Sequence, residues 1–189
     1  MEKILLHTCC APCSSAIIEK LLAEGTEPVI FYSNSNIYPL EEYLVRKNEC
    51  TRYAESLGLE VIDDDYDHDV WLEEMRGLEN EPERGSRCLK CFRFRLLRAA
   101  QYARRNGIRV LTTTLASSRW KSLEQIDQAG TWACDTVNAA WADDAFRLEW
   151  LGRNWRKGGL QERRNQLIKE YGFYNQLWCG CEFSRKSTL

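Results

Sequence analysis

The chain has 189 residues, 44% hydrophobic and 29% charged, with a formal net charge of −2. That length allows one domain with a sizeable core and argues against two large ones, and no run approaches the roughly 20 apolar residues of a membrane span. The opening "MEKILLHT" carries too short an apolar run for the roughly 7–15-residue core of a signal peptide. A cytoplasmic protein with reduced thiols is therefore expected.

Taken in chain order, "KILLH" (3–7) reads as a buried strand and 13–24 as a helix. "PVIFYS" (28–33) is the next strand, followed by a helix over about 41–57 that ends at Gly58. "LEVIDD" (59–64) is the third strand, 88–106 a helix ending at Asn106-Gly107, and "IRVLTTT" (108–114) the fourth strand. Gly after each of these last two helices suits a left-handed C-cap. The segment 122–176 reads as helical, with a loop at "GRNWRKGG". Strands alternating with helices imply an α/β fold, with an open parallel sheet joined by helical crossovers in three Rossmann-like layers. We expect a single domain over 1–189, with 1–118 forming the sheet core and 119–189 a helical extension. Ligands of such sheets bind beyond the carboxyl ends of the strands, where "HTCCAPC", "NSNIYP", "DYDHD" and "LASS" fall.

The small net charge hides strong segregation. Residues 58–83 hold eleven acidic side chains against Arg76 alone, whereas 84–109 hold nine basic side chains and no acid. From 145 to the end there are nine basic and four acidic residues. A basic helix is ordinarily a solvated face. Here it also carries a C-x-x-C and the aromatics Phe92, Phe94 and Tyr102, which points to an anionic substrate such as RNA. The expected RNA face is 84–109 together with Arg153, Arg156, Lys157, Arg163 and Arg164.

Seven of the nine cysteines lie in three clusters: Cys9, Cys10 and Cys13; Cys88 and Cys91; Cys179 and Cys181. In a reducing compartment this pattern means metal or redox chemistry. A structural zinc would leave several thiols surplus. A thioredoxin-like pair at Cys10-Ala-Pro-Cys13 would leave the other two clusters unexplained. An iron–sulfur centre takes about four thiolates at irregular spacing and leaves three for other work. "CGC" could close a strained, labile disulfide and act as a two-electron donor, or supply two metal ligands. Cys50 and Cys134 read as small buried hydrophobes. Neither G-x-G-x-x-G after a strand nor G-x-x-x-x-G-K-[ST] is present, so no dinucleotide or P-loop site is marked. His7 reads as structural and His68 as solvated.

The segments "LHTCCAPCS" (6–14), "NSNIYP" with "EYLVR" (34–46), "EPERGSRCLKCFRFRL" (81–96), "TTTLASS" (112–118) and "GFYNQLWCGCEFS" (172–184) resemble the cobalamin-independent epoxyqueuosine reductases over nearly the whole chain. The departures are Asn34-Ser35-Asn36 where the family pattern has Asn-Pro-Asn, Asn175 for an Arg, and Arg119 and Leu123 for a Pro and a His. The resemblance implies reductive deoxygenation of epoxyqueuosine in a tRNA anticodon loop, the last step of queuosine biosynthesis, with an electron donor it leaves unspecified. It implies a [4Fe-4S] cluster, with Cys9, Cys10, Cys88 and Cys91 as the expected ligands. Cys13 is expected at an additional iron ion or in place of one of the adjacent pair. Cys179 and Cys181 are expected to form a redox-active pair. Asn34, Asn36, Tyr32, Arg87 and Arg93 are the expected substrate contacts, and Tyr32, Asp65 and Tyr66 the expected proton donors. A non-catalytic zinc-bearing RNA-binding module and a thioredoxin-like oxidoreductase are the alternatives.

Overall fold

A computed structural model gives the fold, and the structure describes residues 2–141 and 145–185. The order is β1 (Glu2–Thr8), α1 (Ala11–Ala23), β2 (Thr26–Tyr32), α2 (Leu40–Ser56), β3 (Val61–Asp63), α3 (His68–Glu74), α4 (Ser86–Arg105) and β4 (Val110–Thr113). A 3-10 turn (Thr114–Ser117), α5 (Leu123–Ala140), β5 (Glu149–Trp150) and α6 (Leu160–Tyr171) follow. The five strands form one parallel sheet in the order β3-β2-β1-β4-β5.

The expected α/β sheet with helical crossovers is thus the observed fold. Strands buried on both faces need continuous apolar runs, and Leu5, Leu6, Ile30 and Phe31 are essentially inaccessible. Each such side chain contributes about 1.5–3 kcal/mol through burial. Gly58 and Gly107 end their helices at φ +71° and +68°, the left-handed cap expected of them.

Between β3 and β4 the chain reverses its direction of travel across the sheet. With crossover handedness fixed, that reversal places α4 and α5 on the face opposite α1 and α2. Accordingly α1 packs against α2 and α6, while α4 packs against α5 and α3. The reversal also makes β1 and β4 the topological switch point, where their carboxyl ends diverge.

Two elements were not visible in the apolar pattern. The acidic run after β3 supplies α3, whose Trp71 is fully buried. The stretch expected to be helical over 122–176 is interrupted by β5, a two-residue edge strand on β4. Gly130 of α5 makes room for it, since a Cβ there would lie 2.2 Å from the Trp150 ring. Residues 142–144 of that stretch lie outside the described residues.

Candidate active site

Chain segments far apart in sequence meet beyond the carboxyl ends of β1 and β4. Cys10 is the N-cap of α1, and Cys88 lies in the first turn of α4. Both places set thiols beside unpaired N–H groups and the positive end of a helix, which offsets part of the burial that otherwise keeps Cys10 and Cys88 protonated. The tail returns over them. The Tyr38 N–H donates to the Gly180 carbonyl at 3.0 Å, and Arg46 donates to the Trp178 carbonyl at 3.2 Å. Gln176 Nε2 donates to Cys10 Sγ at 2.6 Å.

All three cysteine clusters therefore border one cavity of about 730 Å³. Cys9, Cys13, Cys88, Cys91, Cys179 and Cys181 line it, and Cys10 lies immediately behind. The Sγ atoms of Cys9, Cys10 and Cys13 lie within 4.8 Å of one another, and those of Cys9 and Cys10 are 3.8 Å apart. A tetrahedral ion with metal–sulfur bonds of about 2.3 Å spaces its thiolates about 3.8 Å apart. All nine cysteines are free thiols.

Two of the three thiol groups each concentrate one negative charge, at Cys9 and at Cys179. Hydrogen bonds from the Cys10 and Cys13 thiols hold Cys9 well below its ordinary value. Burial pushes Cys10 well above its own. Cys13 is pushed up to about 11: its hydrogen bond with Cys10 pulls it down, but the bond to Cys9 and burial outweigh that. At the other group, the hydrogen bond from Cys181 draws Cys179 down to about 5, and the same bond raises Cys181. Burial pushes Cys88 up to about 11 and raises Cys91. Metal binding deprotonates such thiols, so these groups are poised to release protons on loading.

The donor set fits a soft, thiolate-bound metal. The ligands on offer are soft sulfurs, Glu83 is the only carboxylate among the lining residues, and N–H groups point at the sulfurs. Trp71 Nε1 donates to Cys91 Sγ at 3.4 Å and the Arg84 N–H donates to Cys88 Sγ at 3.3 Å. Hydrogen bonds of this kind tune iron–sulfur centres.

The expected substrate residues divide. Asn36 and Arg87 line the cavity, and the buried Asn36 Oδ1 has no partner, leaving an acceptor for a ligand. Arg87 donates to the carbonyls of Leu78, Glu79 and Glu81, so it also pins the loop before α4. Asn34 is engaged elsewhere, donating to the Thr8 carbonyl at 2.8 Å and accepting from Arg95. Tyr32 is fully buried and its hydroxyl donates to the Tyr43 carbonyl at 3.4 Å. Arg93 is outside the lining, its guanidinium 5.2 Å above the Trp132 ring. Neither Asp65 nor Tyr66 lines the cavity, and the Tyr66 hydroxyl donates to the Ile37 carbonyl.

His7 is structural, as expected. Its Nε2 faces the Ser33 carbonyl at 3.0 Å, and burial, then Arg95, lowers it to about 3, keeping it neutral. His68, expected to be solvated, is instead buried, because α3 folds it under the tail.

Much of the expected RNA face is committed internally. Arg95 bonds the Ser33 carbonyl and Asn34, Arg98 bonds Asp64 and Asp67, and Arg163 bonds Glu19. Of the rim that does face the cavity, Arg84 falls within the expected RNA face and Ser118 ends the expected strand-edge segment, but sequence reasoning missed 119–121 as part of it. The departure at Arg119 was its one signal.

A parallel sheet without a phosphate-binding loop, bearing seven thiols at its switch point, defines a thiol-rich α/β protein equipped for metal and redox chemistry. Comparison with known proteins makes that class specific. The description Epoxyqueuosine reductase QueH matches residues 4–187, and the chain belongs to that family. The epoxyqueuosine reductase QueH of Histophilus somni is 45% identical over 187 residues, covering 99% of this chain and 74% of the relative. That of Acinetobacter baylyi is also 45% identical, over 99% of this chain and 82% of its own length. The Thermotoga maritima protein of the same name is 32% identical, over 97% and 91% respectively.

Proposed function

We propose that this chain reduces epoxyqueuosine in tRNA to queuosine. The observation that carries the reading is the meeting of all three cysteine clusters at one cavity, in a chain of the epoxyqueuosine reductase family. Removing the oxygen of an epoxide breaks both C–O bonds and forms C=C. It consumes two electrons and two protons and releases water.

In this reading Cys9, Cys10, Cys88 and Cys91 would hold a [4Fe-4S] cluster, and Cys13 would serve an additional iron ion or replace one of the adjacent pair. These groups would relay electrons one at a time and offer a Lewis acid to the epoxide oxygen. Cys179 and Cys181 supply the electron pair: a thiolate and a thiol that close a disulfide release two electrons and one proton, and the second proton comes from solvent water. Cys179 enters as thiolate and Cys181 carries the shared proton at Sγ. Lys121 lines the cavity, and its charge favours the thiolate at Cys9 and at Cys179. Asn36 Oδ1 accepts from a substrate hydroxyl. With seven lining cations against Glu83, the cavity attracts a polyanion, as a tRNA substrate requires. No described helix is long and apolar enough to cross a membrane; a cytoplasmic setting, with a reduced donor regenerating the dithiol, completes the proposal.

The test is anaerobic purification followed by assay on tRNA bearing epoxyqueuosine. Brown protein containing iron and sulfide that converts this tRNA supports the reading. Colourless protein containing only zinc and lacking turnover replaces it with a zinc-bearing RNA-binding module.

A further inference from the structure

The rim segment Ser118–Lys121 is held from beneath and bare above. The Arg84 guanidinium donates to the carbonyls of Trp120 at 2.9 Å and Arg119 at 2.8 Å. Arg156 donates to the carbonyls of Ser118 and Lys121, and Gln161 Nε2 donates to the Ser117 carbonyl at 3.0 Å. Arg84 itself sits at φ +65°, a left-handed conformation uncommon outside glycine, while its own N–H bonds Cys88 Sγ. A strained residue thus ties the rim directly to a thiol of the cavity, and strain of this kind persists where the surroundings over-determine it.

This fixed segment presents Trp120 to solvent. The indole is 75% exposed, and it and Leu177 are the exposed large apolar side chains among the cavity-lining residues. Arg119 and Lys121 flank it; among the described residues neither side chain is bonded to a carboxylate, and the Lys121 charge is shared with the Cys9 and Cys179 thiolates. A second pocket beside the rim sets three cations, Arg84, Lys121 and Arg156, against one carboxylate, Glu124, and the Arg84 charge lowers Arg156 further after burial. An excess of cations over carboxylates marks a place for an anion.

We propose that Trp120 is the stacking platform for an unpaired RNA base next to the nucleotide in the cavity. Arg119 and Lys121 hold the adjoining phosphates. The proposal deepens the tRNA reading above and rests on it. Single-stranded loops are recognised by splaying bases onto aromatic faces while cations hold the backbone, and the rim combines both on a rigid support. Its chemistry selects an unpaired base over a duplex, whose stacked bases offer no free face.

The test measures binding of a fluorescent RNA stem–loop, and of a blunt duplex of the same stem, to the anaerobically purified full chain at fixed low salt. Trp120→Ala and Trp120→Leu should each weaken stem–loop binding about 5- to 150-fold. Duplex binding should stay unchanged, and Trp120→Phe should remain close to wild type. Lys121→Gln should reduce the slope of log affinity against log salt by about one. Stem–loop affinity unchanged in Trp120→Ala, or a fall shared equally by the duplex, overturns the proposal. Unchanged RNA affinity with slower reduction by a protein electron donor also overturns it, and assigns the indole to donor docking. Failure of the wild type to bind the stem–loop refutes the tRNA reading itself.

Discussion

Nε2 of His68 lies 2.9 Å from Oε1 of Glu182, while Nδ1 faces the Ser35 carbonyl at 2.7 Å. The ring stacks within 5.1–5.9 Å of Tyr38, Trp71 and Tyr66. One side chain thus joins the loop after β2, the start of α3 and the tail bearing Cys179 and Cys181. His68→Ala removes both bonds and should cost about 1–3 kcal/mol of stability. Amide exchange should accelerate at residues 178–184 before it does in β1 or β2, and turnover should fall more than iron content. Uniform acceleration across the sheet would show that His68 only supports the core.

Cys88 and Cys91 lie at the start of α4 and line the cavity. Their replacement by Ala, one at a time, should remove iron and sulfide while far-ultraviolet circular dichroism stays native. Full iron content and activity in either variant would exclude that residue as a ligand.

Cys179 should be the most readily alkylated thiol of the metal-free protein. With its value drawn down to about 5, it is a thiolate above that pH and a thiol below it, whereas the Cys181 thiol stays protonated. Cys179 is also partly accessible. Iodoacetamide labelling of Cys179, followed by mass spectrometry, should rise with a midpoint near pH 5 and disappear below it. A midpoint near 9, the ordinary thiol value, would refute the pairing.

Gly180 has φ +97°, and a Cβ there would lie 2.8 Å from Ile37 Cγ1. Gly180→Ala should therefore displace the dithiol. Turnover should drop at least about 10-fold, as for a misplacement of about 1 Å at a reacting group. Iron content and RNA affinity should be kept. Loss of iron would instead assign Cys179 or Cys181 to the metal.

Arg95 is 2% exposed and bonds Asn34 and the Ser33 carbonyl. Arg95→Gln should lower stability by about 1.5–3 kcal/mol in denaturant titrations, since a hydrogen-bonded buried charge is lost. Residual folded protein should show the wild-type salt dependence of RNA binding. A reduced salt slope would put Arg95 among the phosphate contacts.

The alternation of apolar strands with helices, the glycine caps at Gly58 and Gly107 and the clustering of seven cysteines are local patterns. They determined the α/β class, the sheet edge that carries the chemistry, and the resemblance to the family. A strand period or a C-x-x-C is written within a few consecutive residues, so it can be read without coordinates. Partner choice across the fold is decided by packing between residues far apart in the chain. Arg95 and Arg93 look alike in the basic helix, yet α4 turns one onto Asn34 and the other onto Trp132. Tyr32 and Asn34 follow the right strand, but the sheet buries Tyr32 and Thr8 captures Asn34. His68 stands in an acidic run that reads as solvent-facing, and α3 carries it under Glu182. Trp120 has no periodic neighbour to announce it; only the convergence of Arg84 and Arg156 on the carbonyls of its loop turns it outward at the cavity rim. Tertiary structure alone made that choice, because the groups that hold the loop come from two segments more than thirty residues away on either side of it in the chain.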